Sequence, residues 1–186
     1  MTRFRITALP ADDGDCLVLS YGPAAGLKHV VIDAGRKGTA NRLAAYIAAE
    51  GITRLELLVV THVDADHIEG MLDFLDDHPT LDIGDIWFNG YKHLLEGLDV
   101  LGAPQGEKLT ARIKNRPWNV AFGGKAARVA DDGAPVRMPP LAGGMTFTIL
   151  SPNRAKLAKL EPVWVRELDA SWLHGVSLGP GVCIGP

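Results

Sequence analysis

Two imidazoles and two carboxylates lie within one six-residue stretch, directly after an apolar run. The residues are His62, Asp64, Asp66 and His67, in the spacing H-x-D-x-D-H. Neutral imidazole together with carboxylate oxygen suits zinc, manganese or iron better than calcium. One Asp before a helix often serves only as a cap, but capping needs a single side chain, and clustered carboxylates repel one another unless a cation neutralises them. The spacing therefore predicts a divalent metal site.

The elements around this motif would hold its four polar side chains at one edge of a sheet. Leu55 to Val60 has the length and β-branched content of a buried parallel strand. The next segment, Ala65 to Asp77, repeats apolar residues with a helical period, which places Asp66 and His67 at a helix start. Clefts form at the carboxyl ends of strands in open α/β sheets. We therefore expect a strand, a ligand-bearing turn and a helix, in that order.

The remaining pattern predicts an α/β or α+β domain, because antiparallel hairpins lead into a strand-helix-strand unit. Before the motif the expected order is β-β-β-α, over Phe4 to Leu9, Cys16 to Tyr21, His29 to Asp33 and Asn41 to Glu50. After it, the expected elements are strands at Ile83 to Phe88 and Met145 to Leu150, and helices at Lys108 to Asn115 and Asn153 to Leu160.

The segment T-H-x-D-x-D-H-I-x-G resembles the metal-binding motif of the metallo-β-lactamase fold, whose usual form is H-x-H-x-D-H. Asp64 stands where that form has its second histidine, which resembles the branch related to the ComEC competence proteins. In that branch Ile-Gly-Gly follows the motif, and Glu69 replaces the first glycine here. Gly14-Asp15-Cys16 and the Val30 to Gly35 segment also match, so the resemblance covers about residues 4 to 90.

This resemblance implies an αββα sandwich and a two-metal hydrolase. His62 and Asp64 would hold one ion, Asp66 and His67 the other, and a metal-bound hydroxide would attack the substrate. Asp66 would orient that water and is the expected catalytic residue. Asp33 would fix the motif histidines by hydrogen bonds, although without the resemblance it is read as an ordinary strand-end residue.

The expected cofactors are two divalent ions, Zn²⁺ or Mn²⁺. Asp64 in place of histidine supplies oxygen instead of nitrogen, which relaxes the preference for zinc and makes manganese or magnesium suitable. Together with the ComEC-like motif, this favours a phosphodiester or nucleic-acid substrate over a β-lactam or a thioester.

The second half of the chain fits the resemblance poorly. A further Asp and a late His of the resembled family are missing after residue 90, and residues 171–186 form an uncharged, aperiodic tail. We therefore expect residues 1–170 to be the N-terminal part of such a domain. A partner chain or a homo-oligomer would complete its sheet, and an exposed apolar face would cause self-association. The alternative is a non-catalytic truncated fragment or pseudo-enzyme that acts as an interaction module.

Composition agrees with one globular domain. The chain has 186 residues, 47% of them hydrophobic, and a net charge of −3, so there is no global basic excess. Basic residues between Lys108 and Arg128, interleaved with Trp118 and Phe122, suggest a single-strand nucleic-acid track. A solvated helix face explains them better. Because no apolar leader or membrane-length apolar run is found, we expect a soluble cytoplasmic protein with no membrane partner.

Overall fold

The computed structural model describes residues 1–94, 104–160 and 162. Its strands are β1 (Thr2–Ala8), β2 (Leu17–Pro23), β3 (Lys28–Ile32), β4 (Arg54–Leu55), β5 (Leu57–Val59), β6 (Asp82–Ile83), β7 (Ile86–Trp87), β8 (Val136–Arg137) and β9 (Thr148–Ile149). Its helices are α1 (Lys37–Ala49), α2 (Ala65–Asp77) and α3 (Pro104–Ile113), with short 3₁₀ turns at Tyr91–His93 and Val120–Phe122. Residues 154–160 are also helical. The predicted tail, residues 171–186, lies outside the described residues.

Among the described residues, the main sheet has five strands in the order β1-β2-β3-β5-β7. The first three strands pair antiparallel, and β3, β5 and β7 pair in parallel. Helix α1 makes the crossover from β3 to β5, and α2 makes the crossover from β5 to β7. The carboxyl ends of these three parallel strands therefore meet at one edge, and the prediction of a mixed α/β domain is confirmed.

One face of the sheet forms the larger core with the helices. Leu43 and Ile47 of α1 and Ile68 and Met71 of α2 are buried in the same cluster as Val31 of β3. These positions recur at three- and four-residue spacing along each helix, which gives each helix one apolar stripe towards the sheet. The bounds of α2 are those predicted from its periodicity.

The opposite face of the sheet is covered by a second, smaller cluster. Leu19, Val30, Leu57 and Trp87 are buried there. The segment that carries β8 and β9 supplies the cover: Val136, Met138, Leu141, Met145, Phe147 and Ile149. The prediction that one apolar face of the sheet is exposed is therefore wrong over most of that face, because this segment packs against it. Exposed apolar surface remains on β1.

Two predicted strands are each divided between two sheets. Leu55 to Val60 becomes β4 and β5, which are separated by Glu56, and Ile83 to Phe88 becomes β6 and β7. Strands β4 and β6 pair only with each other. Gly84 permits this close passage, because a Cβ there would lie 2.7 Å from the carbonyl oxygen of Glu56. The expected Met145 to Leu150 strand shortens to β9.

Within the described ranges, none of the helices has the length and apolar surface needed to span a bilayer.

Candidate metal centre

The candidate metal centre lies at the carboxyl edge of β3 and β5. Asp33 directly follows β3, and His62 lies in the turn between β5 and α2. His67 lies in the first turn of α2. Asp33, His62 and His67 each offer one ligand-type atom, and these atoms all lie within 4.8 Å of one another. Residues about 30 positions apart in the sequence thus meet because the parallel strands place their carboxyl ends together.

Asp33 is buried and accepts three hydrogen bonds. Its Oδ1 accepts from the backbone N–H of Thr61 at 2.8 Å. Its Oδ2 accepts from the Thr61 hydroxyl at 2.6 Å and from Nδ1 of His67 at 3.0 Å. Both lone pairs of Oδ2 are therefore used. Distance alone would allow Asp33 to bind a metal, but its hydrogen bonds suit it better to holding other side chains in place.

The backbone of Asp33 adopts a conformation that few non-glycine residues tolerate. Its φ angle is +55°, in the left-handed region. Its N–H still donates to the carbonyl of Val59 at 2.9 Å, which continues the pairing of β3 with β5. Such strain costs on the order of 1 kcal/mol or more and persists only where the surroundings fix it. The strained turn aims the Asp33 carboxylate at Thr61 and His67.

The motif histidines, His62 and His67, lie side by side, with ring centroids 3.8 Å apart and ring planes inclined by 44°. Nε2 of His62 is 3.6 Å from Oδ2 of Asp64, and Nε2 of His67 is 3.5 Å from Oδ2 of Asp66. Each imidazole thus has a neighbouring carboxylate on its Nε2 side. The family resemblance implies one ion for each of these pairs, which remains a prediction.

The centre is partly shielded on one side and open on the other. The side chains of His67 and Asp66 are 12% and 27% exposed, whereas those of His62 and Asp64 are 42% and 71% exposed. A ligand would therefore approach from the side of His62 and Asp64. Among the described residues, the group whose ligand-type atoms converge is Asp33, His62 and His67, and imidazole nitrogen with carboxylate oxygen is a mixed N/O donor set of the kind that divalent metals use.

Two glycines allow the surrounding backbone to pack closely against α2. A Cβ at Gly14 would lie 1.6 Å from the carbonyl oxygen of Asp66, and a Cβ at Gly70 would lie 1.9 Å from that of Ala34. The N–H of Gly70 also donates to the carbonyl of Gly35 at 2.8 Å. Both glycines belong to the segments that carried the sequence resemblance, and close backbone approach is their physical role here.

Arg36 is a neighbour of the centre that the sequence analysis missed. Its guanidinium donates two hydrogen bonds of 2.8 Å to the carboxylate of Asp13 and lies 3.8 Å from Glu69. The Asp13 carboxylate raises the pKa of Arg36, and Arg36 lowers the pKa of Asp13. Arg36 thereby links three parts of the chain: the acidic turn Asp12 to Asp15, the start of α1, and α2. No local signal could reveal these contacts, which join residues more than 20 positions apart.

The other described histidines make structural contacts. Nδ1 of His93 accepts from the N–H of Gly90 at 3.1 Å, and its Nε2 lies 3.2 Å from the carbonyl of Gly124. Burial, with a smaller contribution from Lys92, lowers the pKa of His93 to about 4. His29 contacts Ser20, and His78 contacts the carbonyl of Phe74. His174 lies outside the described residues.

Cys16, which directly precedes β2, is a buried free thiol. Burial, with a smaller contribution from Asp33, raises its pKa to about 12. A thiol that stays protonated is a poor metal ligand and a poor nucleophile.

The basic segment does not offer free aromatic faces. Trp118 is buried, and Nζ of Lys92 lies 3.7 Å from the centroid of its ring. Phe122 packs against Trp87 in the second core cluster. Three arginines of the segment bind within the protein: Arg112 to Asp76, Arg116 to the carbonyl of Pro79, and Arg128 to Asp131. The stacking surfaces that a single-strand track requires are thus occupied.

Comparisons with known proteins add little to this geometry. No protein-family profile matches the chain, and no curated protein matches it. One similar solved structure, from Thermotoga maritima, is provisionally described as a metallo-β-lactamase, with 14% identity and a TM-score of 0.34 over 63% of this chain and 57% of that one. Another is a flavoprotein from the same organism, with 14% identity and a TM-score of 0.36 over 80% of this chain and 36% of that one.

This chain therefore spans 57% and 36% of the lengths of those two proteins. TM-scores of this size do not establish a shared fold. The chemistry of the metal centre is accordingly inferred from its own residues.

Proposed function

We propose that this protein is a metal-dependent hydrolase with a metallo-β-lactamase-like site, and that its substrate is a phosphodiester. The observation that supports the proposal best is that ligand-type atoms of His62 and His67 lie within 4.8 Å of each other and of Asp33, the carboxylate that orients His67, at the carboxyl edge of the parallel strands. Asp64 and Asp66 add carboxylates on the Nε2 sides of the two imidazoles. Both residue types are ones that divalent metals use.

In this proposal, His62 and Asp64 hold one divalent ion, and His67 and Asp66 hold a second. Bound divalent ions lower the pKa of water and stabilise the entering and leaving oxygens of a displacement. Asp66, which is partly exposed beside the less exposed His67, orients the attacking water. Asp33 keeps the proton of His67 on Nδ1, since a carboxylate can only accept, so that Nε2 is free to bind.

Metal analysis tests whether the protein binds divalent metal through the proposed residues. We expect the purified chain to bind Zn²⁺ or Mn²⁺ at near-stoichiometric levels, and His62→Ala or Asp66→Ala to abolish binding at the corresponding position. His78→Gln and Asp77→Asn, which alter the far end of α2, are matched controls and should bind as the wild type does. Wild-type protein without bound metal after dialysis against Zn²⁺ and Mn²⁺ would contradict the proposal.

Hydrolysis assays test whether the metal-bound protein cleaves a phosphodiester. Bis(p-nitrophenyl) phosphate, a simple phosphodiester, should be cleaved in the presence of Mn²⁺ or Zn²⁺, and Asp66→Asn should lower kcat by about a hundredfold or more, as expected for a water-orienting group. A chromogenic β-lactam and a thioester are comparison substrates. Faster turnover of either one would overturn the phosphodiester assignment.

A non-catalytic metal-binding module is the second candidate function. It is favoured by the histidine count, because His29, His78 and His93 make structural contacts and leave only two imidazoles for the centre among the described residues. The combination of stable metal binding with no hydrolysis of the three substrates would select this candidate.

A further inference from the structure

Thr61 lies between the buried Asp33 and the more exposed His62. Its hydroxyl oxygen is 2.6 Å from Oδ2 of Asp33 and 2.8 Å from Nδ1 of His62. Its backbone N–H also donates to Oδ1 of Asp33. The side chain therefore contacts both the carboxylate that orients His67 and the ring of the other motif histidine.

The direction of these two hydrogen bonds follows from proton counting. A threonine hydroxyl has one proton, and a carboxylate can only accept. The proton of Thr61 is therefore donated to Asp33, and towards His62 the hydroxyl oxygen can only accept. Nδ1 of His62 must then carry the ring proton, and in the neutral ring this leaves the lone pair on Nε2.

Nε2 is also the atom on the open side of the ring, where Oδ2 of Asp64 lies 3.6 Å away. Asp33 contacts His67 directly, although the two are 34 residues apart in the sequence. It reaches His62 through the hydroxyl of Thr61. The buried carboxylate of Asp33 thus determines which ring nitrogen carries the proton in both histidines.

We propose that Thr61 is a positioning residue that selects the Nδ1–H tautomer of His62 and so presents Nε2 as its metal-binding atom. This inference rests on the proposed function for the identity of the ligand. Without the hydroxyl, the Nδ1–H of His62 loses its acceptor, and the proton can move to Nε2, where it blocks the lone pair. The half-exposed ring is also freer to rotate.

Three variants test the role of the Thr61 hydroxyl. Thr61→Val keeps the shape of the side chain and the backbone hydrogen bond to Asp33 but removes the hydroxyl, and Thr61→Ser retains it. Thr39→Val is the matched control, because the buried Thr39 hydroxyl has no hydrogen-bond partner in the structure and lies beside Gly35. It removes the same group close to the centre without changing the contacts of His62.

The first readout is the tautomer of His62 in the metal-free protein, from long-range ¹H–¹⁵N spectra of the imidazole at about pH 8, well above the ordinary histidine pKa of about 6.5. Wild type, Thr61→Ser and Thr39→Val should show a protonated Nδ1. Thr61→Val should show a shift of the proton towards Nε2. A wild-type His62 protonated at Nε2 would overturn the proposal without any variant.

The second readout is Zn²⁺ affinity, measured by competition with a chromophoric chelator. Thr61→Val should bind about tenfold more weakly, the size of effect expected when a partner of a metal ligand is removed, and Thr61→Ser should restore binding. Unchanged affinity and tautomer in Thr61→Val would contradict the role of Thr61. A wild-type protein with the expected tautomer that binds no Zn²⁺ would instead contradict the proposed function.

Discussion

At the scale of single residues, the centre depends on one buried carboxylate. Asp33 is held in a strained left-handed turn and accepts three hydrogen bonds from Thr61 and His67. Buried charged groups are tolerated when such bonds satisfy them. The two carboxylates of the motif, the exposed Asp64 and the partly exposed Asp66, have no comparable set of donors among the described residues, which leaves their oxygens available to a cation.

Replacement of Asp33 by Asn should weaken the metal centre. The amide can accept at only one of its two terminal atoms, so one donor among Thr61 and His67 loses its acceptor. We expect metal affinity to fall by about 10- to 100-fold, as for other partners of ligating histidines. Isothermal titration with Zn²⁺ measures this. Asp77→Asn is the control, and equal affinity of Asp33→Asn and wild type would show that Asp33 does not orient the histidines.

His93 should make the stability depend on pH. Its pKa is lowered to about 4 in the folded protein, chiefly by burial, whereas the unfolded value is about 6.5. Between these values the unfolded chain binds a proton that the folded protein excludes. The stabilisation is therefore complete above about pH 6.5 and is lost as the pH falls towards 4, at up to about 1 kcal/mol per pH unit.

Urea unfolding between pH 4 and 7 measures this slope. His93→Gln should flatten it, and His78→Gln serves as the control that leaves it unchanged. A slope that is equally steep in His93→Gln would assign the pH dependence to other groups.

At the scale of elements, the position of α2 against the end of β3 determines where the histidines lie. Gly70 makes this contact possible, because its Cα packs directly against the carbonyl of Ala34. Gly14 does the same on the other side, against the carbonyl of Asp66. Helix α2 is thus held between the acidic turn and the turn that contains Asp33.

Substitution of Gly70 by Ala should displace α2. The added Cβ would lie 1.9 Å from a backbone oxygen, so the helix must shift. We expect a loss of about 1 to 3 kcal/mol in the free energy of unfolding, the usual cost of overpacking, together with weaker metal binding. Gly38→Ala is the matched control: it lies in α1 with open space around it and should stabilise the protein by about 0.5 to 1 kcal/mol. Equal stability of the two variants would argue against the contact.

The sequence predicted the elements with regular periodicity better than those set by distant pairing. The bounds of α2 follow from its apolar stripe, and the order of the first six major elements follows from local signals. The division of Leu55 to Val60 at Glu56 could not be predicted, because it depends on which neighbours β4 and β5 find. The roles of Thr61 and Arg36 were missed for the same reason: their side-chain partners Asp33 and Asp13 are more than 20 residues away.

At the scale of the whole molecule, the main sheet is covered on both faces but has an exposed edge at β1. In the pairing of β1 with β2, Phe4 lies opposite Tyr21 and Ile6 lies opposite Leu19. The side chains of Phe4 and Ile6 are therefore on the face of the sheet that carries the smaller core. Both are nonetheless exposed, Phe4 to 61%. An exposed apolar edge strand is a common site of association.

We therefore expect the protein to self-associate at high concentration and Phe4→Lys to reduce this association. A lysine on an edge strand opposes pairing with another strand by charge and solvation. Val120→Lys is the control, because Val120 is equally exposed, at 61%, but lies outside the sheet. Sedimentation velocity over a range of concentrations measures the effect. A wild-type protein that remains monomeric at all concentrations would contradict it.

The crossover through α1 has a further consequence for the metal centre. Asp33 precedes this helix and the motif histidines follow β5, so Asp33 can orient His67 only after the strand-helix-strand unit has closed. A divalent ion would therefore bind the native state more tightly than the open chain, and it would stabilise the fold by up to about 2.7 kcal/mol at a free concentration 100 times its Kd. The thermal midpoint should rise with Zn²⁺ concentration in wild type and should rise less in His62→Ala, which loses one of the two proposed positions. The rise in the thermal midpoint would then report the folding of this unit, separately from any role of the metal in hydrolysis.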